Sequence, residues 1–272
     1  MYQLNNKVAV VTGAGSGIGR ALALNLAARG CRLALADINE AALAETAAML
    51  PAPALTQKLD VADRAAVYSF AERVQRELGG AGIVINNAGV AVAQTVDKLS
   101  YEDFEWLMGI NFWGVVYGTK AFLPRMLAAR DGVMVNISSV FGIIGVPTQG
   151  AYNAAKFAVR GFTEALRHEL AGSGVRAVCV HPGGIKTNIA RASRHYVDPS
   201  GGTDAKAAAD RFDRVAATTP AQAAEVIVSG IERGRERVLI GADARFISLV
   251  ARLFPESYWN ILGAIMQRLA KN

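Results

Sequence analysis

The chain has 272 residues, 52% apolar and 19% charged, with 29 basic against 23 acidic side chains for a net charge of +6. Such hydrophobicity excludes a disordered chain, 27 glycines without a three-residue period exclude a collagen, and two cysteines, Cys31 and Cys179, cannot build a disulfide scaffold. The basic residues are scattered, which argues against nucleic-acid binding, and no apolar stretch approaches the roughly 20 residues that cross a bilayer.

In chain order, Met1 to Asn6 lacks a basic start followed by a long apolar run, so no secretory signal is expected and the compartment is read as cytoplasmic. Val8 to Thr12 is the first predicted strand. It runs into Thr12-Gly13-Ala14-Gly15-Ser16-Gly17-Ile18-Gly19, and a helix follows over Ile18 to Arg29. Glycines let a chain turn tightly and let backbone amides approach a pyrophosphate, whose charge a helix N-terminus stabilises. The spacing is T-G-x-x-x-G-x-G, not G-x-G-x-x-G. Asp37 closes the second predicted strand, Arg32 to Ala36. A carboxylate there accepts hydrogen bonds from an adenosine ribose and repels a 2′-phosphate. Ile38 follows instead of Arg, and Gly15-Ser16 supplies no basic group, so NAD is favoured over NADP. Asp37 can also cap the helix that begins near Asn39. Ala54 to Leu59 is the third strand, followed by Asp60 and Val61. Asp60 reads as an acceptor for an adenine amine or as the cap of the helix from Asp63 to Leu78.

Gly82 to Asn86, Gly132 to Ser138, Val175 to His181 and Arg237 to Ile240 complete the strands. Short apolar runs alternating with longer helical segments predict an α/β fold, a doubly wound parallel sheet of the Rossmann type with about seven strands and helices on both faces. No repeat or linker divides the chain. A single domain over 1–272 is expected, with a core at 1–243, a substrate-loop region at 187–219 and an apolar helical extension at 244–272. The stretch Thr187 to Thr219, with Ser200-Gly201-Gly202 inside it, has weak periodicity and reads as a lid over the ligand crevice, or as a plain surface excursion.

Tyr152 and Lys156 form a Tyr-x-x-x-Lys pair, Ser139 lies thirteen residues before the tyrosine, and Asn111 sits farther upstream. With the Gly-rich turn, Asn86-Asn87-Ala88-Gly89 and Pro182-Gly183, the sequence resembles the short, single-domain branch of the short-chain dehydrogenase/reductase family over about residues 5 to 242. The chemistry is intelligible from the residues themselves. Four positions apart, Tyr152 and Lys156 share one helix face. A phenol of pKa ~10 is a poor base at neutral pH. A neighbouring ammonium and the positive ring of NAD⁺ favour the phenolate. Ser139 can donate a hydrogen bond to the substrate oxygen. The resemblance implies that Asn111 organises a water linking Lys156 to solvent, and that Asn87, Ala88 and Gly89 support the sheet beside the adenosine. It also implies that Pro182, Gly183, the Ile185 backbone and the Thr187 hydroxyl adjoin the nicotinamide amide. His181, ending a strand, reads as structural. No metal site is expected.

The substrate wall is expected from Val140 to Gln149, with apolar Phe141, Ile143, Ile144, Val146 and Pro147, and from Tyr196 and Phe212. No Arg or carboxylate is placed to clamp a charged head, so the substrate reads as a lipophilic secondary alcohol or ketone, steroid-like, aliphatic or aromatic. Arg245 to Phe254 and Tyr258 to Met266 read as two apolar helices separated by Pro255. They could cover a partner subunit, lie on a membrane, close over the substrate, or simply pack on the protein itself. The resemblance implies a homodimer or homotetramer through the helices that hold Asn111 and Tyr152. Two other functions share features of this pattern. An NADPH-dependent 3-ketoacyl reductase is opposed by Asp37-Ile38, and a non-catalytic nucleotide sensor or scaffold by the four intact positions.

Overall fold

The computed structural model describes residues 1–199 and 201–271, with side chains through Ile265; Ser200, Asn272 and the side chain of Met266 lie outside the described residues. Strands β1 (Val8–Thr12), β2 (Arg32–Asp37), β3 (Leu55–Lys58) and β4 (Ile83–Asn86) alternate with α1 (Gly17–Ala28), α2 (Glu40–Ala48) and α3 (Arg64–Leu78). A short β5 (Val92–Ala93) precedes α4 (Tyr101–Met108) and α5 (Gly114–Ala129). Then come β6 (Gly132–Ile137), α6 (Gly150–Glu169), β7 (Val175–Pro182), β8 (Arg194–His195), α7 (Ala205–Val215), α8 (Pro220–Glu232) and β9 (Arg237–Ile240). Helices α9 (Ala242–Leu253) and α10 (Tyr258–Lys271) follow.

Seven strands form one parallel sheet in the order β3-β2-β1-β4-β6-β7-β9. The chain winds outward from β1 to β3, then restarts on the other side at β4. The loops after β1 and β4 therefore part at their carboxyl ends, the place where such sheets leave a ligand crevice. Strand side chains alternate between two buried layers, as in a sheet covered on both faces. Val11, Leu35 and Ile85 pack with Leu22 and Leu26 of α1 and Ile227 and Ile231 of α8. Val10, Val84 and Met134 face Phe70 of α3, Phe122 and Met126 of α5 and Leu166 of α6.

The capping alternatives resolve. Asn39, not Asp37, caps α2, accepting from the Ala42 amide at 3.0 Å. Asp63, not Asp60, caps α3, accepting from Ala66 N at 3.1 Å, while Asp60 closes a local turn by accepting from Ala62 N at 2.9 Å. Helices α4 and α5 continue one another through a π-helical turn, Gly109–Trp113, which carries Asn111. The region 187–219 is more ordered than its weak periodicity implies. Within it β8 pairs with β5, and α7 starts at Asp204, whose side chain accepts from Lys206 and Ala207 amides. Both C-terminal helices lie over the 140–147 segment, where Val250, Leu262, Tyr258 and Trp259 pack on Ile144 and Val146. No helix among the described residues is long and apolar enough to cross a membrane.

Candidate active site

At the carboxyl end of β1, Gly13 adopts φ +65° and a Cβ there would lie 2.8 Å from the Ala88 backbone. The turn can thus approach the loop after β4 only as glycine. Thr12 Oγ1 accepts from the amides of Asn87 and Ala88 at 3.0 and 3.1 Å, and Asn87 Nδ2 donates to Thr12 O at 2.9 Å. Asn87 and Ala88 therefore brace the turn. Asp37 Oδ2 accepts from Gly15 N at 2.8 Å, and its other oxygen from Asn39 N at 2.9 Å. A Cβ on Gly15 would stand 2.9 Å from that carboxylate. Together these groups shape a cleft of about 420 Å³ lined by Gly15, Ser16, Gly17, Asp37, Asn39 and Asn188 among others. The Gly-lined wall, the α1 N-terminus and the carboxylate are the donor and acceptor set that an adenosine diphosphate requires, so the cleft fits a dinucleotide.

Arg20 also lines this cleft and was not anticipated from the sequence. Its guanidinium is committed elsewhere: it donates to Gly15 O at 2.6 Å, Thr46 Oγ1 at 2.9 Å and Glu45 Oε2 at 2.8 Å. Asp60 is exposed beside the buried Val61. Thr187 reaches back to the turn, its Cγ2 3.1 Å from where a Cβ of Gly17 would be. The amide of Gly184 donates to Asp243 Oδ2 at 2.6 Å, and Ile185, bridged to Thr218, is buried. Asp243 thus fixes the segment after Pro182 and Gly183 from the far end of the chain.

Ser139 and Tyr152 meet at the end of β6. Ser139 Oγ accepts from Phe141 N at 3.1 Å and stands close enough to the Tyr152 hydroxyl to lower its pKa. Lys156 Nζ lies 5.5 Å from the centre of the tyrosine ring and donates to Ile137 O at 3.0 Å. Gly89 joins Asn111 to the group: a Cβ there would lie 3.3 Å from Asn111 Oδ1 and 3.6 Å from Lys156 Nζ. Asn111 is locked by two bonds to Val90, accepting from its N and donating to its O, each at 2.8 Å.

Burial governs the titration here. It pushes the Tyr152 phenol up to about 12, against a smaller opposite effect of the nearby Ser139 hydroxyl. Burial also pulls the Lys156 ammonium down to about 8. The chain alone therefore moves the phenol away from neutrality, not toward it as the ammonium alone would. His181, wholly buried, sits 3.1 Å through Nδ1 from Ser139 O. That oxygen can only accept, so Nδ1 carries the proton; burial takes the ring down to about 4 and leaves it neutral. The histidine supports the serine's backbone, in keeping with its structural reading.

Three supporting elements were missed. Asn86 donates to Asn136 Oδ1 at 2.8 Å and Asn136 to Thr163 Oγ1 at 3.0 Å, a buried polar ladder that ties β4 and β6 to α6. Asn153 Nδ2 donates to Phe141 O and Ile144 O, both at 2.8 Å, and pins the 140–147 segment beside Tyr152. Arg194 pairs with Asp103 at 2.7 Å and lies 3.6 Å over the Trp106 ring, fastening the 187–204 stretch to α4. The expected substrate wall needs correction. Ile144 and Val146 are buried against the C-terminal helices, Phe141 and Ile143 pack half-buried on the same cluster, and of these only Phe141 meets Tyr152, edge-on at 6.0 Å.

The family model for short chain dehydrogenases matches residues 7–198. SadH of Mycobacterium tuberculosis, provisionally named an oxidoreductase, is 48% identical over 270 residues, covering 97% of this chain and 96% of that one. Estradiol 17-beta-dehydrogenase 11 of Macaca fascicularis is 30% identical over 262 residues, 94% of this chain and 82% of its own length. A short-chain dehydrogenase/reductase from Burkholderia phymatum, solved in complex with NAD, superposes with a TM-score of 0.82 at 33% identity, covering 88% of this chain and 90% of that one. This chain belongs to the short-chain dehydrogenase/reductase family of oxidoreductases.

Proposed function

We propose that the protein transfers a hydride between NAD(H) and a lipophilic secondary alcohol or ketone, with Tyr152 as general acid and base. The observation that carries this reading is the grouping of Ser139, Tyr152 and Lys156, with Lys156 Nζ 5.5 Å from the tyrosine ring centre and Gly89 and Asn111 beside it. Bound NAD⁺ would take the hydride from the carbinol carbon and add positive charge near the phenol. Ser139 holds the substrate oxygen by a hydrogen bond. Tyr152 Oη removes the carbinol proton in oxidation and returns it to the ketone oxygen in reduction. Lys156 stabilises the phenolate, and Asn111, fixed on Val90, holds the proton path toward solvent. A phenol that burial keeps protonated is ready to reduce a ketone; oxidation relies on the added charge to ionise it.

Asp37 beside an exposed Ile38, with Arg20 already paired, supports NAD over NADP. Phe141 edge-on to the phenol ring, and a relative named for estradiol, a lipophilic secondary alcohol, support the substrate class. Exposed Trp113 on the α4–α5 rod and Phe157 on α6 support assembly of copies through those helices. Reduced-nicotinamide absorbance with NAD⁺ or NADP⁺ over a panel of secondary alcohols tests the proposal. Turnover with NAD⁺ on apolar alcohols, reduced by about 10²-fold or more in Tyr152→Phe, is expected. Preference for NADP⁺ or for small charged hydroxy acids contradicts it.

A further inference from the structure

Helix α9 presents three faces. Its inner face, Val250 with Ile247 and Ala251, packs on Ile144 and Val146. On the outside Phe246, Leu249 and Leu253, spaced i, i+3 and i+7, form one stripe and are 47%, 55% and 61% exposed, and Phe254 follows at 46%. One position round the helix, Arg245 and Arg252 stand exposed with Ser248 between them, and Ser248 Oγ accepts from Arg237 at 3.2 Å. Three guanidinium groups thus line one flank of the apolar stripe. Burial and the like charge of Arg160 lower the pKa of Arg237, against an opposite effect of Glu164, and Arg252 adds a smaller like-charge contribution. The facing carboxylates offset the arginines only in part: Glu164 acts on Arg237 but is paired with Arg160 at 2.9 Å, Asp243, though exposed, accepts from Gly184 N, and Glu256 lies beyond the helix end.

We propose that α9 docks this protein on the surface of an anionic lipid bilayer, with Phe246, Leu249, Leu253 and Phe254 entering the interface and the arginine flank meeting lipid phosphates. Apolar residues on one stripe with arginines beside it are the requirements of an interfacial helix. Charge complementarity selects this occupant over an antiparallel pair of copies, because a two-fold axis across the helix would set one arginine row against its twin. On the functional reading above, the inner face then holds the substrate-side segment 140–147 at the lipid surface, where a lipophilic alcohol partitions.

Flotation of the full-length protein with vesicles of phosphatidylglycerol and phosphatidylcholine, against phosphatidylcholine alone, tests docking without any reading of activity. Wild type is expected to float with the anionic vesicles and less so at high salt. Leu249→Ser/Leu253→Ser is expected to bind roughly tenfold or more weakly, since each loses an apolar side chain from the interface. Arg245→Gln/Arg252→Gln should lose the preference for anionic lipid, and both variants should turn over a water-soluble alcohol as wild type does. Absence of flotation, or flotation unchanged in both variants, overturns the proposal. So does a serine variant whose only change is from dimer to monomer on gel filtration, which would make the stripe an interface between copies.

Discussion

Lys156 is 3% exposed and holds its charge against burial, which takes its pKa from 10.5 to about 8. Between those values the unfolded chain binds more protons than the folded one. Stability from this residue therefore grows as pH rises through the window, and its penalty is complete below about 8. Lys156→Met is expected to be inactive yet more stable than wild type at pH 7, by on the order of 1–3 kcal/mol. The gap should narrow by about 1 kcal/mol between pH 8 and 9, as one pH unit inside the window is worth about 1.4 kcal/mol. Urea unfolding at both pH values reads it; a gap that ignores pH would deny the lysine this role. Asp37 offers a second residue-scale test. Asp37→Asn keeps an acceptor for the Gly15 amide and removes the charge that repels a 2′-phosphate. It should lower kcat/KM with NAD⁺ by about tenfold and raise the NADP⁺ share, read by initial rates with each cofactor.

Elements show how far the sequence could be read. The sheet was legible because β1, β4 and β6 are unbroken buried runs, and the Gly-rich turn and Tyr152–Lys156 pair because their partners lie a few residues apart. The polar ladder was not: Asn86 and Asn136 are 50 positions apart and Asn136 and Thr163 are 27, neighbours only after parallel crossovers form. The π turn at Asn111 leaves no mark in composition, since it is a change of hydrogen-bond spacing inside a continuous helix. The α7 cap, Asp204 before an alanine-rich run, was readable in principle. Asn136→Val, which leaves the buried Asn86 amide only its longer bonds to Thr119 and Met134 and takes a donor from the Thr163 hydroxyl, is expected to cost about 1–3 kcal/mol in urea unfolding. Where the 187–204 stretch is fastened to α4, Arg194→Met removes both the Asp103 pair and the contact with Trp106. KM should rise while kcat stays within about twofold, and proteolysis within 187–204 should quicken.

At the scale of the whole molecule the cleft is built from distant parts of the chain: the turn after β1, Asp37 at the end of β2, and Asn188 beyond β7. The unfolded chain holds none of these groups together, so on the proposed function a dinucleotide would bind the folded form alone and raise its melting temperature by mass action. At about 100 times its dissociation constant, NADH should add about 2.7 kcal/mol, or roughly 5 °C or more for a chain of this size. NADPH at the same concentration should add less, because Asp37 faces the cleft and the guanidinium of Arg20 is held by Glu45, Thr46 and Gly15. Gly13→Ala should abolish both shifts, as a Cβ at φ +65° and 2.8 Å from Ala88 forces apart the loops after β1 and β4. Differential scanning calorimetry of wild type and variant with each nucleotide measures all four values. Equal shifts with NADH and NADPH would show that Asp37 braces the turn through Gly15 without choosing the cofactor.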